Sequence, residues 1–170
     1  VVFSCFSAPA GAQGTANDIV FHAGGLANER FYCVKELSDG TVLIGGVADD
    51  MNWIPAGVSV TEISTSSASI PNNRGTNKYP FLLRVTNDMG TVLGAWHLPQ
   101  NSAEEIRYIK TNTAPGTATG GIWISGQNAH SSSRDDGFFV AKLNGNFVDS
   151  SPTALEWSTA IWAEGDHETW

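Results

Sequence analysis

Aspartate and histidine residues in predicted loops are the side chains of this sequence best suited to binding a ligand or a metal ion. Adjacent carboxylates occur at Asp49–Asp50 and Asp135–Asp136, and imidazoles occur at His97 and His130. Paired carboxylates could bind Ca²⁺, which prefers oxygen ligands, but Asp residues in loops also cap turns or face solvent. No His-x-x-x-His or Asp-x-Asp-x-Asp-Gly spacing occurs, so we assign no metal ligand and expect no cofactor, with calcium as the alternative.

Trp53 is the aromatic residue most open to a binding role, because it follows Asn52 in the polar loop after the first Asp pair. An aromatic ring in such a loop can stack on a sugar ring or another ligand. It can equally fold back and cover the edge of a sheet. Both roles remain open for Trp53, and we include Asn52 and Trp53 with the two Asp pairs and the two His residues as candidate ligand-binding residues.

Catalytic motifs are absent from the sequence. It contains no Gly-x-Ser-x-Gly nucleophile elbow and no Glu flanked by His residues, so we predict no catalytic residue within the chain. Two carboxylates could also hydrolyse glycosides, but their separation in space decides that chemistry. Whether the protein is an enzyme therefore stays open, with a non-catalytic role favoured.

The charge balance excludes one class of partner. The 170 residues carry a formal net charge of −8 at pH 7. A nucleic-acid-binding protein needs a basic face to displace counterions from phosphates, so nucleic acid is not an expected partner. Eighteen Gly and six Trp in a polar chain favour many strands and turns over helices.

The N-terminal run resembles the end of an export signal. Residues 1–12 are apolar and then small, and Ala10-Gly11-Ala12 fits the small-x-small pattern before a cleavage site. An apolar strand is the alternative, and Cys5 as a lipid-bearing residue is a weaker one. No stretch reaches the roughly 18 apolar residues of a membrane span. We expect a secreted or extracytoplasmic protein, in the periplasm or at the cell surface, with the mature part over 13–170.

Eight segments read as short strands bounded by Gly, Asn, Asp or Pro. Tight turns at residues 38–40, 88–90 and 144–146 contain Gly or Asn, which tolerate positive φ. The predicted strands are 30–37, 41–47, 80–86 and 91–98, followed by 105–111, 120–126, 138–143 and an interrupted segment over 146–160.

These segments form a diverged internal repeat. Residues 31–35 match 106–110 at an offset of 75, 42–46 match 122–126 at an offset of 80, and 81–85 match 139–143 at an offset of 58. Trp96 also matches Trp162. The matches keep their order and differ in length only within loops, as expected of repeated structural units.

Four-stranded antiparallel units repeated radially form a β-propeller, so the predicted fold is all-β with propeller blades. Two blades, over 21–98 and 96–162, and the start of a third fit within 13–170, which predicts a fragment of a longer chain. A β-sandwich is the alternative fold. In each blade, the loop between the second and third strands lies at the same end of the sheet as the connection to the next blade. All candidate binding residues fall at that end.

Two motifs resemble the secreted bacterial β-propeller repeats of the seven-bladed type. Residues 39–46, Asp-Gly-Thr-Val-Leu-Ile-Gly-Gly, resemble the first half of that repeat, and residues 136–143, Asp-Gly-Phe-Phe-Val-Ala-Lys-Leu, resemble the second. The chain departs from the pattern in the insertion over 48–79 and at Tyr79-Pro80, where the family has Asp. The resemblance implies export and a propeller, and it implies no catalytic residues.

The expected function is therefore that of an exported binding or scaffold module whose ligand is a surface polymer or a protein. The alternative is a part of an extracytoplasmic propeller hydrolase, lyase or oxidoreductase whose catalytic residues lie mostly outside these 170 residues.

Overall fold

A computed structural model describes residues 28–65, 78–100, 105–111, 121–129, 136–145, 147 and 151–162. Strands and turns account for all of the regular structure in these ranges, which contain no helix. The strands are β1 (Glu29–Glu36), β2 (Val42–Ala48), β3 (Val60–Glu62), β4 (Tyr79–Val85), β5 (Val92–His97), β6 (Tyr108–Thr111), β7 (Ile122–Ala129), β8 (Asp136–Leu143) and β9 (Leu155–Trp162).

The first sheet is a four-stranded antiparallel meander with one added strand. Its order is β1-β2-β4-β5-β3, and β3 pairs in parallel with β5 at the outer edge. The turn between β1 and β2 places Gly40 at φ 81°, a left-handed conformation that glycine adopts without a Cβ clash. The meander predicted over 30–47 and 80–98 is confirmed, whereas β3 was not predicted.

The second sheet is another four-stranded antiparallel meander, in the order β6-β7-β8-β9. Its first three strands overlap the predicted segments, but β6 begins three residues later than predicted, at Tyr108, and β7 ends three residues later, at Ala129. The fourth was predicted over 146–160, but β9 begins only at Leu155. Residues 151–153 lie outside any strand, and Asn144 Oδ1 accepts hydrogen bonds from the backbone N–H groups of Thr153 (2.8 Å) and Ala154 (2.7 Å) just before β9; residues 146 and 148–150 lie outside the described residues.

The two meanders have the same strand register at the offsets found in the sequence. A register shift also interrupts the last strand pair at corresponding places, between Arg84 and Val85 and between Lys142 and Leu143. Corresponding cross-strand pairs are Val34–Ile44 and Ile109–Ile124, Lys35–Leu43 and Lys110–Trp123, Ile44–Leu83 and Ile124–Ala141, Gly46–Phe81 and Gly126–Phe139, and Val85–Val92 and Leu143–Leu155.

The sequence match of Trp96 with Trp162 is wrong in register. Trp96 lies opposite Leu82, whose counterpart in the second sheet is Val140. Val140 lies opposite Thr159, whereas Trp162 lies opposite Gly137. The correct offset for the last strand is therefore 63, because the β8–β9 connection is five residues longer than the β4–β5 turn.

Glycine occupies the same position in both sheets for the same steric reason. A Cβ on Gly46 would lie 2.0 Å from the carbonyl oxygen of Arg30, and a Cβ on Gly126 would lie 2.0 Å from that of Glu105. Arg30 and Glu105 are themselves 75 residues apart, so the same backbone approach recurs. Only glycine permits this contact without moving a strand.

The two sheets pack against each other through faces that do not correspond to one another. We define the A face of the first sheet by Leu43, Leu82 and Trp96, and its B face by Ile44 and Phe81, because side chains alternate along a strand. One core joins the A face of the first sheet to the B face of the second, whose buried residues are Ile122, Ile124, Phe139, Ala141, Leu143 and Leu155.

The remaining two faces have different surroundings. The B face of the first sheet forms a second core with residues of the segment 49–58, including Trp53 and Ile54. The A face of the second sheet carries Tyr108, which is 59% exposed, Trp157, which is 47% exposed, and Ile161, which is 62% exposed. Within the described residues, this apolar face has no covering layer comparable to the segment 49–58.

The segment around β3 connects the outer edges of the two sheets. After its three residues pair with β5, Ser64 forms a parallel bridge with Ala154 just before β9. The N–H of Ser64 donates to the Thr153 carbonyl at 2.7 Å, and the N–H of Leu155 donates to the Ser64 carbonyl at 2.9 Å. Residues 60–64 therefore fix the first sheet to the second through backbone hydrogen bonds.

Candidate functional site

One end of the sheets brings together several of the candidate binding residues. β2 ends beside Asp49, β5 ends at His97, and β8 begins at Asp136. In an antiparallel meander these positions share an end, as predicted from the alternation of strand direction. Asp136 is paired through its backbone with Ala129. His130 and Asp135 lie outside the described residues.

Asp49, Asp50 and Asn52 form the start of the loop after β2. The Asn28 amide donates to Asp49 Oδ2 at 2.8 Å, and the backbone N–H of Asn52 donates to Asp50 Oδ1 at 2.8 Å. The second bond closes a turn of the type that Asp side chains stabilise. Asp49 and Asn52 remain exposed, so their side chains can be reached by a ligand.

Trp53 is buried rather than presented to solvent. Its side chain is 1% exposed and packs edge-on against Phe31 (5.8 Å between ring centroids) and Phe81 (5.2 Å). The indole Nε1–H donates to the Asp50 carbonyl at 2.9 Å. Of the two roles considered for Trp53, its position corresponds to covering the sheet, because the indole offers no open surface on which a sugar ring could stack.

His97 is also buried, at 9% exposure. Its Nδ1 lies 2.9 Å from the Leu98 carbonyl oxygen, and its ring meets Tyr79 edge-on at 5.1 Å. Because a carbonyl oxygen only accepts hydrogen bonds, Nδ1 carries a proton in this arrangement. These contacts fix the orientation of the imidazole at the end of β5.

A network of charged and polar side chains joins the first strands of the two sheets. Arg107 donates through Nε to Glu105 and through Nη2 to Gln127 Oε1 at 3.2 Å. Its guanidinium also lies over the Tyr32 ring, 5.1 Å from the centroid. Glu105 is a buried carboxylate, at 7% exposure, so its pairing with Arg107 compensates a charge that would otherwise be costly to bury.

Tyr32 and Arg30 extend this network along β1. Burial raises the pKa of Tyr32, and a hydrogen bond with Glu105 raises it further. A hydrogen bond with Tyr32 raises the pKa of Arg30. At neutral pH the phenol is therefore protonated and can donate, and the Arg30 guanidinium is charged. The network can orient an anionic or hydrogen-bonding ligand, and it also fastens β6 to β1.

Sequence reasoning missed this network, although a signal was present. Arg30 and Glu105 occupy corresponding positions at the offset of 75, as do Tyr32 and Arg107. Glu105 and Arg107 also carry opposite charges two residues apart, which is the spacing that puts two side chains on the same face of an extended segment.

In comparisons with known proteins, no family model, no curated protein and no solved structure matches the chain. Within the described ranges, no group of three or more His, Cys, Asp or Glu residues is placed to hold a metal ion. No helix long and apolar enough to cross a membrane occurs in those ranges either.

Proposed function

We propose that the chain contributes consecutive blades to an exported β-propeller that acts as a binding or scaffold module at the cell surface or in the periplasm. The observation that carries the proposal is the packing of the A face of one register-matched sheet on the B face of the next. Two like sheets related by a two-fold axis would bury the same face on both sides. Packing of unlike faces repeats in one direction, as blades do around an axis.

The proposed binding role depends on the loops at one end of the two sheets. The two sheets share a core and are bridged by Ser64, so they form a rigid base for the loops that follow β2 and β5. Loops on a rigid scaffold commonly carry binding residues. Asp49 and Asn52 are exposed there, while Asp50 shapes the turn. The export signal predicted over residues 1–12 supports the extracytoplasmic location.

The test is binding of the purified chain to arrays of surface glycans and proteins. We expect a ligand whose binding weakens when Asp49 and Asn52 are both changed to Ala, because both side chains are exposed at the loop end. Asn87→Ala, in the exposed turn between β4 and β5 at the opposite end, is the control. Trp53→Ala is unsuitable as a site variant, since it also removes part of the core. Binding that ignores the Asp49/Asn52 change would reject this loop as the site.

A second candidate function is a part of an extracytoplasmic propeller enzyme, and the network of Arg30, Tyr32, Glu105 and Arg107 favours it. In a propeller the first strand of each blade is the innermost, so these side chains would lie near the axis, where several blades can contribute to one site. Screening the secreted protein for hydrolase, lyase and oxidoreductase turnover tests this candidate. Turnover abolished by Arg107→Gln in a chain with an unchanged melt would favour the enzyme over the scaffold.

A further inference from the structure

A cleft of about 370 Å³ lies at the outer edge of the molecule, away from the loop end described above. It is bordered by the segment 57–61, by the first half of β5 and by residues 151–153. Its lining combines four hydroxyl groups with apolar surface, contributed by Ser59, Thr61, Ser151, Thr153, Leu93 and Trp96. The volume falls at the lower end of the range for small-molecule sites.

The walls of the cleft are held in place by neighbouring contacts. The indole of Trp96 lies across the backbone of Gly94, where a Cβ would approach its Cη2 to 2.3 Å, and meets the ring of Phe147 edge-on at 4.7 Å. On the opposite wall, Asn144 Nδ2 donates to Thr153 Oγ1 at 3.1 Å. The Thr153 hydroxyl proton is then directed away from Asn144. Such preorganised walls reduce the entropy lost when a ligand binds.

The chemistry of the lining selects a class of ligand. Hydroxyl groups both donate and accept hydrogen bonds, so they match the hydroxyls of a sugar, and the exposed Leu93 side chain provides apolar surface for its C–H groups, while the buried Trp96 indole supports the cleft from beneath. None of the lining residues is charged, and the chain as a whole is strongly acidic. An acidic polymer would therefore gain no ion pair in the cleft and would be repelled by the surrounding charge.

We propose that this cleft binds a neutral glycan, one or two sugar rings at a time. The inference rests on the proposed binding function and adds to it a second site with a stated ligand class. The cleft is formed by the insertion, because β3 supplies one wall and the Ser64 bridge sets the distance to residues 151–153. Trp96 and Leu93 come from the sheet itself, so the site joins the repeated unit to the inserted segment.

The exposed aromatic face of the second sheet is a weaker candidate for the same ligand. Its two Trp rings, Trp123 and Trp157, are inclined at 66° to each other with centroids 5.8 Å apart. Flat polysaccharide surfaces require coplanar rings, which this geometry does not provide. The corresponding A face of the first sheet is covered by the second sheet. We therefore interpret the A face of the second sheet as a surface for packing against another sheet.

The experiment measures binding of neutral cello-, xylo- and mannohexaose, with oligogalacturonate as the acidic comparator, by calorimetry and by amide chemical shifts of the purified chain. We expect at least one neutral hexaose to bind and to shift the amides of residues 59–61 and 151–153. The double change Ser59→Glu with Ser151→Glu places charge at two exposed rim positions and should weaken binding about tenfold or more.

Val34→Glu with Ser38→Glu is the matched control, because it adds the same charge at exposed positions on and beside β1, outside the cleft and away from the loops after β2 and β5. It should leave the dissociation constant within about twofold of the unchanged chain. Equal weakening in both variants, or none in the rim variant, would reject the cleft while leaving the binding function intact. Tighter binding of oligogalacturonate would reject the ligand class. A chain that binds no glycan and no protein on the arrays would reject the proposed function as well.

Discussion

The two sheets share their strand registers but differ in what covers them. In the first sheet, both faces are covered, one by the second sheet and the other by the segment 49–58. In the second sheet, one face is covered and the other exposes Tyr108, Trp157 and Ile161. Corresponding positions thus have different burial: Leu43 is fully buried, whereas its counterpart Trp123 is only partly so.

This difference separates two contributions to the structure. The backbone arrangement is common to both sheets and depends on the tight turns and on the glycine at the close approach of the first two strands. The side-chain environment depends on which layer packs on each face. A position with the same strand register can therefore be buried in one sheet and exposed in the other. Stability measurements can separate the contribution of the backbone arrangement from that of side-chain burial.

The largest expected effect comes from removing the ring that covers the first sheet. Trp53→Ala should lower the free energy of unfolding by about 3–5 kcal/mol, because it leaves a cavity between Phe31 and Phe81. Trp157→Ala, on the exposed face of the second sheet, should cost no more than about 1 kcal/mol. Urea denaturation followed by circular dichroism measures both. Equal losses would mean that the exposed face is covered in solution.

A steric effect of about 3 kcal/mol should appear equally in both sheets. Gly46→Ala and Gly126→Ala each place a methyl group 2.0 Å from a backbone oxygen, so a strand must move. Gly90→Ala is the control, since its Cβ would meet only the Asp88 side chain at 3.3 Å. Urea midpoints of the three variants make the comparison. If Gly46→Ala or Gly126→Ala destabilised the protein no more than Gly90→Ala does, the close approach of the backbone would not explain the glycine at that position.

The fold could be predicted from the sequence to the extent that it depends on local signals. Turns with Gly or Asn and β-branched or aromatic segments marked the meander strands, and three loop offsets reproduced the registers. The match of Trp96 with Trp162 was wrong because residue identity was given more weight than the length of the β8–β9 connection. The strand β3 was missed because a three-residue edge strand has almost no periodic signal.

The site was less predictable, because it depends on which side chains meet across the sheets. The alternation of strand direction was enough to predict that Asp49, Asp50 and His97 lie at the same end of the sheet. The burial of Trp53 required knowing that the loop after β2 folds over the B face. The ion pair of Glu105 with Arg107 is local, whereas the contacts of Tyr32 with these two residues required the packing of β1 against the segment that leads into β6, which no local signal in the sequence indicates.

Cysteine labelling can compare the same register position in the two sheets. Cys33 lies between the sheets, with its Sγ 4.0 Å from the Ile106 carbonyl oxygen, and desolvation raises its pKa to about 11. At pH 8 the thiolate fraction is then about a hundredfold smaller than in the unfolded chain, so labelling should slow accordingly. Its counterpart at the offset of 75 is Tyr108, which is exposed.

The matched variant is Tyr108→Cys with Cys33→Ser, and both proteins carry Cys5→Ser so that a single thiol reacts. We expect the thiol at position 108 to react with a maleimide or an aromatic disulfide at nearly the rate of the unfolded chain. A fast reaction at Cys33 would contradict the sheet–sheet core. A slow reaction at position 108 would show that another layer covers the exposed face.

The smallest expected effect is a difference in acid sensitivity between turns of the two sheets. Burial alone would raise the pKa of Asp39, but hydrogen bonds from Thr41 and the charge of Arg84 outweigh it and hold the pKa below its ordinary value. Hydrogen bonds from Thr86 and from the Gly90 backbone likewise lower the pKa of Asp88. The corresponding role before β9 is taken by Asn144, which does not titrate.

A carboxyl with a lowered folded-state pKa stabilises the folded state at pH values above its unfolded pKa of about 4, and that contribution is lost as the pH falls through the folded-state value. The Asp39–Arg84 pair is partly exposed, so it contributes no more than about 1 kcal/mol. Amide hydrogen exchange should therefore show that protection of Thr41 and Gly90, whose N–H groups donate to these carboxylates, decreases between about pH 6 and pH 2.5 after correction for intrinsic rates. Thr153 and Ala154, bonded to Asn144, should keep their protection. A parallel decrease at all four amides would indicate global acid unfolding, and the difference between the turns would then not depend on their carboxylates.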